Sequence, residues 1–189
     1  MRICVYCAAS EKVDEKYKKF MKVLGKQIAK RGHTLVYGGG AGGLMGAVAY
    51  GAIEEKGEVL SVVPNFMNEF EPIMEGTTII HTLDMGTRKN IMEDNTDGFI
   101  IAPGGIGTFD EFFQALTLKE LGRLSCPMLI YNIDGYYDEL ASFLFGCVEK
   151  QFVRAKVREM LYVCDTDDDM DASAIRAIEY LEERYTPRT

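Results

Sequence analysis

Short apolar runs alternate with amphipathic stretches almost from end to end of this chain, and that alternation limits the fold more than any other feature. Residues 3–6, 34–37, 59–63, 77–82, 98–102, 127–131 and 160–164 are brief and rich in Val, Ile, Leu and Tyr, which reads as buried strands. Between them the apolar period changes. In residues 12–31, Tyr17, Phe20, Met21, Leu24 and Ile28 recur three and four apart among Lys and Glu, which predicts a helix that Gly32 stops. Further helices are predicted over 43–56, 84–95 (capped by Asp84), 108–121 and 136–151. A last one follows the acidic stretch 165–171, with Ile175, Ile178 and Leu181 on one face. Residues 65–76 read as a loop. Continuously apolar strands separated by helices predict an α/β fold, a doubly wound parallel sheet of about seven strands with helices on both faces. The 189 residues suit one domain, 1–189, large enough to bury a core unaided.

In such sheets ligands bind beyond the carboxyl ends of the strands, where the topology reverses. Four loops there carry unusual chemistry, following Tyr6, Tyr37, Thr82 and Ala102. Tyr37-Gly38-Gly39-Gly40-Ala41-Gly42-Gly43-Leu44-Met45-Gly46 links a strand to a helix. Its glycines let the backbone approach a ligand, and the helix start beyond them offers unpaired N–H groups to an anion. The alternative reading is a tight turn with close helix–strand packing. Gly38, Gly40 and Gly43 match G-x-G-x-x-G, yet the next strand ends Val62-Val63-Pro64-Asn65, without the carboxylate that a dinucleotide ribose needs. Pro103-Gly104-Gly105-Ile106-Gly107-Thr108-Phe109-Asp110-Glu111 forms a second such turn. It reads either as an anion cradle or as a capping box of Thr108 and Glu111 in the first helical turn. In Met85-Gly86-Thr87-Arg88-Lys89-Asn90 two cations crowd a helix start, against the helix dipole. An anionic partner would offset that; the bland reading is a solvated face.

Other chemistries are disfavoured. Lys and Arg number 21 against 29 Asp and Glu, a net charge of −8, which repels a nucleic-acid backbone. No apolar run approaches the roughly 20 residues of a membrane span, and the first residues lack the apolar core of a secretory signal. Five scattered cysteines suggest a reducing cytoplasm rather than a disulfide framework. Cys4 and Cys7 spell C-x-x-C but fall on a strand, where residues three apart face opposite ways. No second cysteine pair exists, so no metal site is expected. Only His33 and His81 occur; neither G-x-S-x-G nor G-x-x-x-x-G-K-[ST] is present.

Taken together, Tyr37-Gly-Gly-Gly…Gly43-Leu-Met-Gly46, Met85-x-x-Arg88-Lys89 and Pro103-Gly-Gly-x-Gly-Thr-x-x-Glu111 resemble the LOG ("lonely guy") family of cytokinin riboside 5′-monophosphate phosphoribohydrolases, also catalogued as lysine decarboxylases. Tyr131-Asn-Ile-Asp-Gly-Tyr-Tyr137 is similar too. The sequence departs from the family in two places. Cys7-Ala8-Ala9-Ser10 stands for the usual Cys-Gly-Ser, and Thr117-Leu118 for Thr-Trp. The resemblance implies a Rossmann-like homodimer that hydrolyses the N-glycosidic bond of a nucleoside 5′-monophosphate without a cofactor. It implies catalytic roles for Arg88 and Glu111. It implies substrate contacts at Ser10, Gly39, Gly40, Met85, Lys89, Gly104, Gly105, Ile106, Gly107, Thr108 and Thr117, with a further carboxylate at Glu69 or Glu71. Two other readings use the same motifs. A carrier or sensor would bind the nucleotide without cleaving it. A decarboxylase would need a lysine for a pyridoxal phosphate Schiff base, and Lys89 is the lysine amid the motifs.

Overall fold

The computed structural model describes residues 1–187. Seven strands form one sheet: β1 (Arg2–Tyr6), β2 (Thr34–Tyr37), β3 (Val59–Pro64), β4 (Thr78–Thr82), β5 (Gly98–Ile101), β6 (Met128–Asn132) and β7 (Tyr162–Asp165). Every pairing is parallel and the order is β4-β3-β2-β1-β5-β6-β7. Helices α1 (Glu15–Lys30), α2 (Gly43–Glu54) and α7 (Met170–Arg184) cover one face. Helices α3 (Met85–Asp94), α4 (Ile106–Glu120), α5 (Asp138–Glu149) and the single turn α6 (Val157–Met160) cover the other. The alternating inward residues of each strand divide between two apolar layers. Cys4 lies in one and Cys7 in the other, as period-two geometry requires. Parallel strands need crossovers, and β1 sends its neighbours off on both sides, to β2 and to β5. The winding order therefore reverses between β1 and β5, and the loops after Tyr6 and Ile101 open into one crevice.

Several boundaries differ from expectation for local reasons. Helix α4 starts at Ile106 with Gly105 as its cap (φ −100°, ψ −152°), two residues early. Thr108 is therefore its third residue and Glu111 its sixth, which removes the capping-box reading. The left-handed Asp134 (φ 56°) holds a short 3-10 turn at Ile133–Gly135 and delays α5 to Asp138. The turn α6 displaces β7 to Tyr162–Asp165. The inward stripe of α7 runs through Ser173, Ala174, Ala177, Ile178 and Leu181, leaving Ile175 half-buried. The segment between β3 and β4 begins with a 3-10 turn, Asn65–Glu69.

Candidate active site

Asp side chains cap three of the helices. Asp14, Asp84 and Asp169 accept from the amides of Lys16, Thr87 and Ala172. The two helices that follow glycine turns have glycine caps without such a side chain, and they are finished differently. At α2 the Ala8 carbonyl accepts from Leu44 N and Met45 N at 2.9 and 3.1 Å. The Glu11 carboxylate accepts from the Gly43 amide, a bond that holds its pKa below the ordinary value. The anion at this helix start belongs to the chain itself. Packing explains the rest of the first motif. A Cβ on Gly46 would lie 2.0 Å from Ala41 O, and one on Gly43 (φ 57°) 2.6 Å from Ser10 O. Close packing of this kind is what the tight-turn reading expects at Gly43 and Gly46.

Helix α4 stays open. No side chain caps it and no acidic residue occupies its first turn, so the N–H groups of its first turn are directed outward. The turn ahead of it is pinned from three sides. Tyr136 Oη donates to Gly104 O at 2.8 Å, Tyr137 Oη to Ala102 O at 2.8 Å, and Ala8 N to Pro103 O at 3.0 Å. Gly104 has no space for a side chain, since a Cβ would sit 2.1 Å from Thr108 Oγ1.

Below this helix start lies a cavity of about 350 Å³ at the β1/β5 reversal. Ser10, Gly105, Gly107 and Thr108 form one side, Met45, Met67 and Met85 the apolar wall, and Arg88, Glu111 and Glu71 the floor. Arg88 Nη1 lies 2.6 Å from Glu111 Oε1, and the two residues are only 8% and 6% exposed. Arg88 Nε donates to Val62 O at 3.3 Å. Gly38 explains itself here: a Cβ on it would stand 2.1 Å from Arg88 Nη2. The Arg88–Glu111 contact is close but off-line, so Oε1 is buried without an aligned hydrogen-bond donor. Burial pushes the Glu111 carboxyl up, and the Arg88 charge partly restrains it. Glu71 is half-buried and raised for the same reason, again opposed by Arg88. Two carboxylates and one guanidinium thus converge on one pocket, an arrangement suited to a developing positive charge.

The structure separates the expected site residues into groups. Arg88, Glu111, Ser10, Met85, Gly105, Gly107 and Thr108 line one cavity. Of the two candidate carboxylates, Glu71 reaches it, while Glu69 is exposed and absent from its wall. Gly104 supports the turn and lines a smaller adjoining cavity. Gly39 and Gly40 do not line the pocket: Gly39 O accepts from Met74 N, and Gly40 bridges to Ile73. Ile106 and Thr117 face a shallow groove of about 510 Å³ on the outside of α4, away from the charged floor. Thr117 Oγ1 is spent on Phe113 O at 2.7 Å. Lys89 is ion-paired with Asp110 at 2.8 Å and is absent from the cavity wall. The anions that offset the Arg88-Lys89 pair therefore come from α4, Glu111 for Arg88 and Asp110 for Lys89. Sequence reading missed Met45 and Met67, which carry no chemical signal of their own, and the internal cap by Glu11.

A family model described as "Possible lysine decarboxylase" matches residues 45–173. A probable cytokinin riboside 5′-monophosphate phosphoribohydrolase of Oryza sativa subsp. japonica is 34% identical over 188 residues, spanning 99% of this chain and 72% of the relative. The chain belongs to the LOG family. A cytokinin riboside 5′-monophosphate phosphoribohydrolase of Rhodococcoides fascians is also 34% identical, over 93% of this chain and 89% of its own length. The LOG-family fold is shared with the Moco carrier protein of Chlamydomonas reinhardtii, at a TM-score of 0.71 and 24% identity over 96% of this chain and 97% of that one. The molybdenum cofactor binding protein from Rippkaea orientalis gives 0.69 and 22% over 94% of both chains. These two are likenesses of fold.

Proposed function

We propose that this LOG-family chain hydrolyses the N-glycosidic bond of a nucleoside 5′-monophosphate, of the cytokinin or purine class, to free base and ribose 5-phosphate. The carrying observation is a buried carboxylate, Glu111, held beside Arg88 one helical turn below an open, glycine-capped helix start. The phosphate docks on the α4 amides around Gly105, Ile106 and Gly107, with Thr108 beside them. Its binding energy positions the ribose although no phosphate bond reacts. As the bond between C1′ and the base nitrogen breaks, positive charge builds on the sugar. The Glu111 carboxylate stabilises it, and water delivers hydroxyl to C1′ while its proton passes to the base. Arg88 favours the ionised form of Glu111 against the effect of burial and faces the electrons accumulating on the base. Glu71 adds negative potential across the cavity, and the three methionines form an adaptable wall for the base.

No described helix is long and apolar enough to cross a membrane; five cysteines without a disulfide among the described residues support placement in the reducing cytoplasm. A homodimer is supported by the apolar stripe that α4 turns outward through Ile106, Phe109 and Phe113.

Glu111→Gln is the direct test. AMP binding should persist while adenine release falls by about 10²–10³. Wild-type protein that binds AMP tightly and releases no adenine would instead be a carrier. Release of adenosine or phosphate would also overturn the assignment.

A further inference from the structure

We infer that the opposite, amino-terminal edge of the sheet holds a second anion site, for a compact multivalent oxyanion of the pyrophosphate class, gripped by Lys119, Lys156 and Arg184. These cations line one cavity of about 300 Å³ with Ser125, Tyr180 and a single carboxylate, Glu159. They come from the last turn of α4, the loop before α6 and the last turn of α7, so three separate elements bring positive charge to one hollow on an acidic protein.

Arg184 pairs with the exposed Glu183 at 3.2 Å and donates to Tyr180 O at 3.5 Å, while the partners of the two lysines are incomplete. Lys119 Nζ donates to Cys126 O at 2.6 Å and Ser125 O at 3.3 Å, and Lys156 Nζ donates to Glu120 O. An ammonium has three N–H groups. Among the described residues, Lys119 thus spends two and Lys156 one, all on neutral carbonyls, and neither pairs with a carboxylate. Main-chain dipoles balance only part of a full charge, and burial lowers the Lys119 pKa, opposed in part by the Coulombic influence of Cys126.

The aromatic side of the hollow decides the ligand's shape. The Arg184 guanidinium lies 4.1 Å from the centre of the Tyr180 ring, and Tyr162 stacks on the same ring at 4.3 Å and 15°. One ring face cannot hold both, so both faces are covered and none remains for a base. What fits is charge without a ring: oxygens bidentate on Arg184, with the free ammonium donors beside them.

The test is calorimetric titration of the full chain with inorganic pyrophosphate. Binding should be saturable, should persist when ribose 5-phosphate fills the upper cavity, and should weaken at least tenfold in Lys119→Met and in Lys156→Met. Lys156→Arg should retain it. Lys156 sits in a surface loop, so its variants remain informative if Lys119→Met loosens α4. No saturable binding, binding abolished by ribose 5-phosphate, or binding unchanged in Lys156→Met would overturn the site. None of these outcomes depends on whether the upper cavity cleaves nucleotides.

Discussion

Glu111 sits where two opposing effects meet. Burial raises its pKa above the ordinary 4.5 and Arg88 opposes the rise, so the ionised form needed beside an oxocarbenium ion is lost as pH falls through the raised value. The profile of kcat/KM against pH should therefore show an acid limb with its midpoint above 4.5, and Glu111→Gln should abolish that limb along with most of the rate. Glu71 gives a complementary prediction on stability. A carboxyl raised in the folded state stabilises below its unfolded pKa and loses that contribution as pH rises through the folded value. Glu71→Gln should accordingly melt higher than wild type near pH 7, with the difference closing below about pH 4.5, while kcat falls. Equal melting curves across that range would remove Glu71 from the buried charge cluster. Arg88, Thr108 and Glu111 were singled out in the sequence by the motifs that carry the family resemblance, and the structure brings all three to one cavity. The choice of Glu71 over Glu69 was not legible there, because it depends on how the segment between β3 and β4 folds back over Gly40, 3.3 Å from Glu71 Oε1 to a Cβ built there.

At the scale of elements, the two glycine turns look alike in sequence and end differently. One is closed by Glu11 and Ala8; the other is left open and tied by Tyr136 and Tyr137. Strand–helix order was readable because period and apolar runs are local. The distinction between the turns was not, because their closing partners lie about thirty residues away in sequence. Tyr136→Phe should remove one tie worth about 1 kcal/mol, raising KM about fivefold with less change in kcat. Glycines inside helices separate in the same way. A Cβ on Gly25 would meet the Val48 carbonyl of α2 at 1.9 Å, whereas Gly146 in α5 has nothing within 4 Å. Gly25→Ala should cost about 1–3 kcal/mol, and Gly146→Ala should gain about 0.5–1 kcal/mol. Each kcal/mol appears as about 2–4 °C in Tm.

For the whole molecule, α4 is the element on which site and surface meet. Its inward stripe is Thr108, Glu111, Phe112, Ala115 and Leu116. Its outward stripe runs through Ile106 (83% exposed), Phe109, Phe113 (37%), Thr117 and Leu121 (61%) at three- and four-residue steps. Isolated apolar surface residues are ordinary, but a row of them on one helix beside a shallow groove suits burial against a second copy. Because the same helix presents Glu111 on its other side, self-association there would steady the helix that carries the chemistry. Phe113→Asp places a charge in the middle of the stripe. In sedimentation velocity the wild type should run as a dimer and Phe113→Asp as a monomer, with kcat/KM reduced and circular dichroism unchanged. A wild-type chain that sediments as a monomer at assay concentration while turning over AMP would show that the outward stripe plays no part in the active unit.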